Sequence, residues 1–147
     1  RTQALILLQD MASRMRANRA EALQTQTASP YLTEVGYGSD FNDIESCSIP
    51  AEGTKQAQID LSCWHIALIG KLEQKPTNLG NTNEDTGGII GGHGCITKKT
   101  KSNEFNISIA WQGMTEVTQD YNHPCGNGII QNNLRRTISI PVHFAEF

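Results

Sequence analysis

The chain has 147 residues, of which 37% are hydrophobic and 18% charged, with a formal charge of −3. That length suits one domain with a real core and argues against a second. The near balance of charge and a pI near 5.8 argue against nucleic acid as a partner, because none of the basic clusters (Arg14, Arg16 and Arg19; Lys98, Lys99 and Lys101; Arg135 and Arg136) alternates with aromatic residues.

The opening segment, Ala4 to Arg19, predicts a helix. At about 100° per residue, Ala4, Leu5, Leu8, Met11, Ala12, Met15, Ala22 and Leu23 fall in one arc, as on a helix lying against a core. Ile6 and Leu7 fall outside it. A helix emerging from a membrane or a packed assembly would cover that side; the plainer alternative is a frayed amphipathic end. The first residue is Arg1, with only Thr2 as a weak cap, so the segment reads as the lower part of a longer helix. The apolar run Ala4 to Leu8 falls far short of the roughly 20 residues a bilayer requires, so the chain as it stands reads as soluble. Arg14, Arg16 and Arg19 suit the negative end of the helix dipole.

Ser29-Pro30 predicts the stop of this helix, since the residue before proline is steered out of the α region. The stretch from Tyr31 to Thr54, with Gly36, Gly38, Pro50 and Gly53, reads as a long loop tethered by Cys47. Ala57, Leu61, Trp64, Leu68 and Leu72 alternate in steps of four and three and predict a second helix from about Lys55 to Glu73, ended by Pro76. From Pro76 to Gly94 the chain is rich in Asn and Gly and reads as a loop with a short strand at Ile89-Ile90. The period then becomes two. Cys95 to Lys98, Phe105 to Gln112 and Thr137 to Phe144 predict strands, the last at an edge or bulged because Pro141 cannot donate to a ladder. Helices first and strands afterwards predict an α+β fold, one helix laid on an antiparallel sheet buried on one side only. Residues 1–147 form a single domain on this reading, with helix in 1–25, helix and loops in 26–94 and sheet in 95–147.

Cys47, Cys63, Cys95 and Cys125 form an even set without a Cys-x-x-Cys pair, which favours disulfides over a zinc site. Four cysteines allow three connectivities. Pairing Cys47 with Cys63 and Cys95 with Cys125 closes the shortest loops, each bond contributing roughly 3 to 4 kcal/mol in the chain-entropy model. Such bonds point to an oxidising compartment and an exported chain.

No catalytic, cofactor or metal motif emerges. His65, His93, His123 and His143 lack ligand spacing, with His93 expected in a glycine loop and His143 on the outer face of a strand. Gly87 to Gly94 leads into a strand instead of a helix and lacks the Lys-Ser/Thr of a phosphate loop. Between Asn78 and Asp85 only Glu84 and Asp85 could serve calcium as carboxylates. Asn106-Ile-Ser108 matches a glycosylation acceptor but falls in an expected strand.

With helix, cysteines and strands placed, the chain resembles the PilV-type minor pilins of bacterial type IV pili. Met11-Ala-Ser-Arg-Met-Arg-Ala-Asn-Arg19 is similar to that family's helix segment, and Ile59-Asp-Leu-Ser-Cys-Trp-His-Ile-Ala-Leu68 to its Asp-Leu-x-x-Trp-x-x-x-Leu helix. Gly94-Cys-Ile-Thr97, Ile107 to Gly113, Cys125-Gly126 and Arg135 to Ile140 resemble its strand and cysteine pattern. The resemblance implies a pilin-like fold, processing at the inner membrane and a final place in an extracellular pilus. It further implies a role in priming assembly, motility and adhesion alongside other minor pilins, the major pilin and a tip adhesin. The family's hydrophobic half-helix and glycine cleavage site are not in this sequence, which suggests a trimmed form of a membrane-anchored subunit. Leu5, Ile6, Leu7, Leu8, Arg14, Arg16 and Arg19 are then the expected subunit-facing residues, with no cofactor and no catalysis. A type II secretion pseudopilin would share this logic; a secreted ligand-binding domain or small hydrolase would require convergent polar groups.

Overall fold

The computed structural model describes residues 2–24, 29–32, 36–38, 47, 55–71, 74–76, 83–85, 88–99, 103–118 and 123–145. Among them are three helices, α1 (Thr2–Ala17), α2 (Arg19–Ala22) and α3 (Gln56–Ile69), and six strands, β1 (Tyr37–Gly38), β2 (Gln74–Pro76), β3 (Asn83–Asp85), β4 (His93–Lys98), β5 (Glu104–Gln112) and β6 (Arg135–His143). Strands β1, β4, β5 and β6 form one antiparallel sheet in that order, and β2 pairs with β3. The fold is therefore α+β, an N-terminal helix with a four-stranded antiparallel sheet. Strand β6 takes an edge, where Pro141 leaves no ladder donor missing from an interior strand.

Helix α1 buries Ala4, Leu8, Met11, Ala12 and Met15 against Phe105, Ile107, Ile109 and Val142 of β5 and β6 and against Leu61, Trp64 and Leu68 of α3. The predicted helix is interrupted at Asn18, whose φ of −108° and ψ of 47° leave the helical region. The Asn18 amide donates to the Tyr31 hydroxyl at 3.0 Å, so the break hands a polar side chain to the loop that follows. Two members of the arc deviate from it: Leu5 is exposed and Leu23 only half-buried. Leu7, expected outside the arc, is half-buried and packs on the core.

Helix α3 starts without a side-chain cap of its own. Glu21 of α2 supplies one, its carboxylate accepting from the backbone N–H groups of Gln56 at 3.2 Å and Ala57 at 2.9 Å. An anion there also meets the positive end of the helix dipole. The helix ends at Gly70, six residues before the expected proline. Gly70 has a φ of 81°, and the N–H groups of Lys71 and Gly70 return to the carbonyls of Ile66 and Ala67, closing a Schellman-type turn that glycine accepts without strain. Leu72 and Glu73, the expected last turn, lie outside the described residues.

Trp64 joins the layers. It is fully buried, its Nε1 donates to the carbonyl of Leu7 in α1 at 3.1 Å, and its ring lies on the backbone of Gly94 in β4, where a Cβ would fall 2.4 Å from a ring carbon. Beside it, Nδ1 of the buried His65 accepts from the N–H of Gly38 at 3.1 Å and ties β1 to α3.

Several expectations are corrected. Tyr37-Gly38 is a strand within the expected loop; Ile89-Ile90 forms a turn, with the Gly92 N–H on the Ile89 carbonyl; and Pro76 sits in β2. His93 is in β4 and buried, not in a glycine loop. The sheet is also covered on both faces at one end. Cys95, Ser108 and Ala110 point away from α1, and Cys125 and Ile130 pack there in a second small core. The bonds Cys47–Cys63 and Cys95–Cys125 close sequence separations of 16 and 30 residues. The second holds the segment 123–134 as a strap over that face. Gly126 in the strap, with a φ of 71°, comes so close that a Cβ would stand 2.8 Å from Cβ of Ala110.

Gly94→Val should cost about 1–3 kcal/mol by overpacking under the indole, and Trp64→Ala about 3–5 kcal/mol, both read from urea unfolding with unchanged slope. Burial, with Lys71 nearby, holds His65 below its ordinary pKa. The folded state then binds fewer protons than the unfolded chain as pH falls below about 6.5. Stability contributed by the neutral ring is complete above that pH and declines below it, and a His65→Gln variant is expected to lose this part of the slope in unfolding measured from pH 8 to 5.

Candidate functional site

The residues expected to face other subunits divide into two groups. Leu8 is fully buried inside the chain. Arg14 turns inward, its Nε donating to Asp10 at 2.9 Å and its Nη1 to the buried Asp60 at 3.4 Å. Arg19 stacks over the Phe144 ring, with its carbon 5.7 Å from the centroid, and donates to the carbonyl of Ala145. Burial of Leu8 corrects its expected outward role, and the two arginines are engaged by the chain itself. Leu7 is half-buried. Leu5, Ile6 and Arg16 remain as the residues whose side chains face outward.

Asp60 explains why Arg14 turns in. The residue is 4% exposed, and its carboxylate accepts from the Tyr31 hydroxyl at 2.5 Å, from Gln56 Nε2 at 3.1 Å and from Arg14. A buried carboxylate requires such partners. Burial and the Asp60 carboxylate push the Tyr31 hydroxyl above the usual phenol range, so it stays a donor. This cluster is a structural seam between α1, α3 and the Tyr31 segment.

Of the large apolar side chains exposed among the described residues, Ile129 lies in the strap and the others lie elsewhere. Leu7 meets Trp64 and Arg14 meets Asp60, so α1 and α3 run antiparallel, and the start of α1 lies beside the end of α3. At that end Gly88 and Gly92 pass close to the carbonyls of Ile69 and Leu68, and the Gln112 N–H donates to the Ile90 carbonyl at 2.9 Å. Leu5, Ile6, Ile90 and Met114, exposed by 38%, 59%, 63% and 91%, belong to the elements that converge there. Ile90 and Met114 carried no periodic signal in the sequence; only the fold brings their segments to this pole.

Among the described residues, one array has the composition of a hydrolytic site. His123 Nε2 lies 3.1 Å from Ser139 Oγ, which lies 2.7 Å from Ser108 Oγ. The backbone N–H of Cys125 donates to His123 Nδ1 at 3.2 Å. In the neutral ring that bond fixes the proton on Nε2, which then donates to Ser139. A general base requires the reverse, a free lone pair on the nitrogen facing the serine. Ser108 also receives Asn106 Nδ2 at 3.3 Å, so the array pins the strap to β5 and β6. No group of three or more His, Cys, Asp or Glu among the described residues is placed to hold a metal ion. No helix among them is long and apolar enough to cross a membrane.

Comparison of the chain with protein families, with curated proteins and with solved structures finds no match.

Proposed function

We propose that the chain is a non-catalytic assembly subunit, a PilV-type minor pilin that acts with other minor pilins to start a type IV pilus. The observation that carries this reading is the outward display of Leu5 and Ile6 at the start of a helix whose opposite side is wholly buried. Apolar residues exposed on a helix end, with Ile90 and Met114 exposed on segments at the same end of the fold, suit a surface completed by another chain. The helix motif Met11 to Arg19 and the Trp64 helix motif direct the reading towards minor pilins, and two disulfides suit an exported subunit. Partners on this reading are other minor pilins, the major pilin and a tip adhesin, met at the inner membrane before the fibre reaches the surface.

Ile6 is the residue to alter, because Leu7 and Leu8 also serve the chain's own core. In the cell that makes this protein, Ile6→Lys in the complete gene product should leave its amount and thermal stability near wild type while reducing surface piliation and co-purification with other pilins. Normal piliation with the variant would sink the reading. Co-purification with secretion components instead of pilus components would transfer the same surface to a type II secretion pseudopilus.

A further inference from the structure

We propose that Asn127 is a site of spontaneous conversion to aspartate and isoaspartate, a chemical ageing switch in the strap that covers the second face of the sheet. The sequence holds one Asn-Gly step, Asn127-Gly128. Glycine matters here because the reaction needs the following backbone nitrogen to reach the asparagine side chain, and any Cβ on that residue obstructs the approach. The other described asparagines (Asn18, Asn83, Asn103, Asn106, Asn132 and Asn133) precede Arg, Glu, Glu, Ile, Asn and Leu, whose side chains hinder it.

The structure removes the usual protections. Asn127 and Gly128 are both exposed, and beyond Gly128 and its two chain neighbours no heavy atom lies within 4 Å of the place a Gly128 Cβ would occupy. The turn is held by bonds on either side of the reacting nitrogen: Asn127 N–H to the Pro124 carbonyl at 3.2 Å, and Ile129 and Ile130 N–H to the Gly126 carbonyl at 3.3 and 3.0 Å. The Gly128 N–H takes no part in these bonds.

The step balances with water as the one co-reactant. The Gly128 nitrogen loses its proton to solvent and attacks Cγ of Asn127. The new C–N bond closes a succinimide, the bond from Cγ to the amide nitrogen breaks, and ammonia leaves with the proton. Water then opens the ring at either carbonyl. Attack at Cγ gives aspartate; attack at the main-chain carbonyl gives isoaspartate, with the backbone rerouted through Cβ. Either product adds one negative charge to a chain of formal charge −3. Isoaspartate also lengthens the turn between Gly126 and Ile130, whose hydrogen bonds hold the buried Ile130 beside Ala110. The Cys95–Cys125 bond keeps the start of the strap in place while its distal part loosens.

The test is incubation of the oxidised, folded protein at neutral and mildly alkaline pH, followed by peptide mapping under conditions that preserve the products. The expected result is an amide-to-acid mass gain confined to the peptide containing Asn127, faster at the higher pH, split between aspartate and isoaspartate forms, and lost in Asn127→Gln. A reduced and denatured sample serves as the control. If that control converts while the folded protein keeps Asn127 intact, the native turn protects the site and the proposal falls. It falls equally if the gain maps to other asparagines.

Discussion

The indole of Trp64 is the contact on which the other layers depend. One side chain bears on α1 through a hydrogen bond to the Leu7 carbonyl, belongs to α3, and lies against the sheet at Gly94. An indole has a broad apolar face and one donor at its edge, so it can fill the gap between three elements while satisfying a single polar atom. The separation of α3 from β4 is set by ring thickness over a residue with no side chain, and the axial position of α1 by where the indole N–H finds its carbonyl. Packing at interior density leaves little freedom around such a contact. The apolar stripe of α1 then falls on Phe105, Ile107, Ile109 and Val142 because its height and register are already fixed.

Around this apolar joint runs a polar seam with a different task. Asp60 would be costly at its depth without Tyr31, Gln56 and Arg14, and Glu21 gives α3 the cap its own sequence lacks. Both carboxylates connect helices far apart in the chain. Hydrogen bonds of this kind contribute modestly to net stability but penalise any sliding of one helix along another, because sliding would leave a buried charge alone. Shape sets the spacing of the layers, and the polar seam sets their register.

The strongest parts of the fold were legible because their periodicity reflects burial on one face. The alternations Phe105, Ile107, Ile109 and Ile138, Ile140, Val142 become neighbouring strands in register, with Ile107 opposite Ile140 and Ile109 opposite Ile138. The buried side of α1 was legible for the same reason. Elements without such a signal were missed: Tyr37-Gly38 is a strand only because β4 lies beside it, and Gln74–Pro76 with Asn83–Asp85 pair without an apolar pattern. Arg14 and Arg19 looked solvated because their partners, Asp60 and Phe144, are distant in sequence. The covering of the second face was hidden likewise, since it depends on a disulfide and on the close approach of Gly126 to Ala110. Gly70 was a visible stop signal that the more conspicuous Pro76 obscured. Of the outward apolar pole, Ile6 could be read from the helix arc, whereas Ile90 and Met114 required the tertiary structure.

The seating of the first helix on the last strand has a kinetic consequence. Helix α1 rests on β5 and β6, and Arg19 donates to the carbonyl of Ala145 just beyond β6. The surface on which α1 rests is therefore made well after α1 itself. A chain with this topology must hold an uncovered amphipathic helix until β6 has been made, and its productive collapse waits on contacts of very long sequence separation, the regime in which folding is slow and exposed to aggregation. Completion of β6 supplies the last strand of the surface on which α1 rests. Until then α1 is an adhesive segment in search of a surface, and whatever keeps it from wrong partners governs how much native protein is formed.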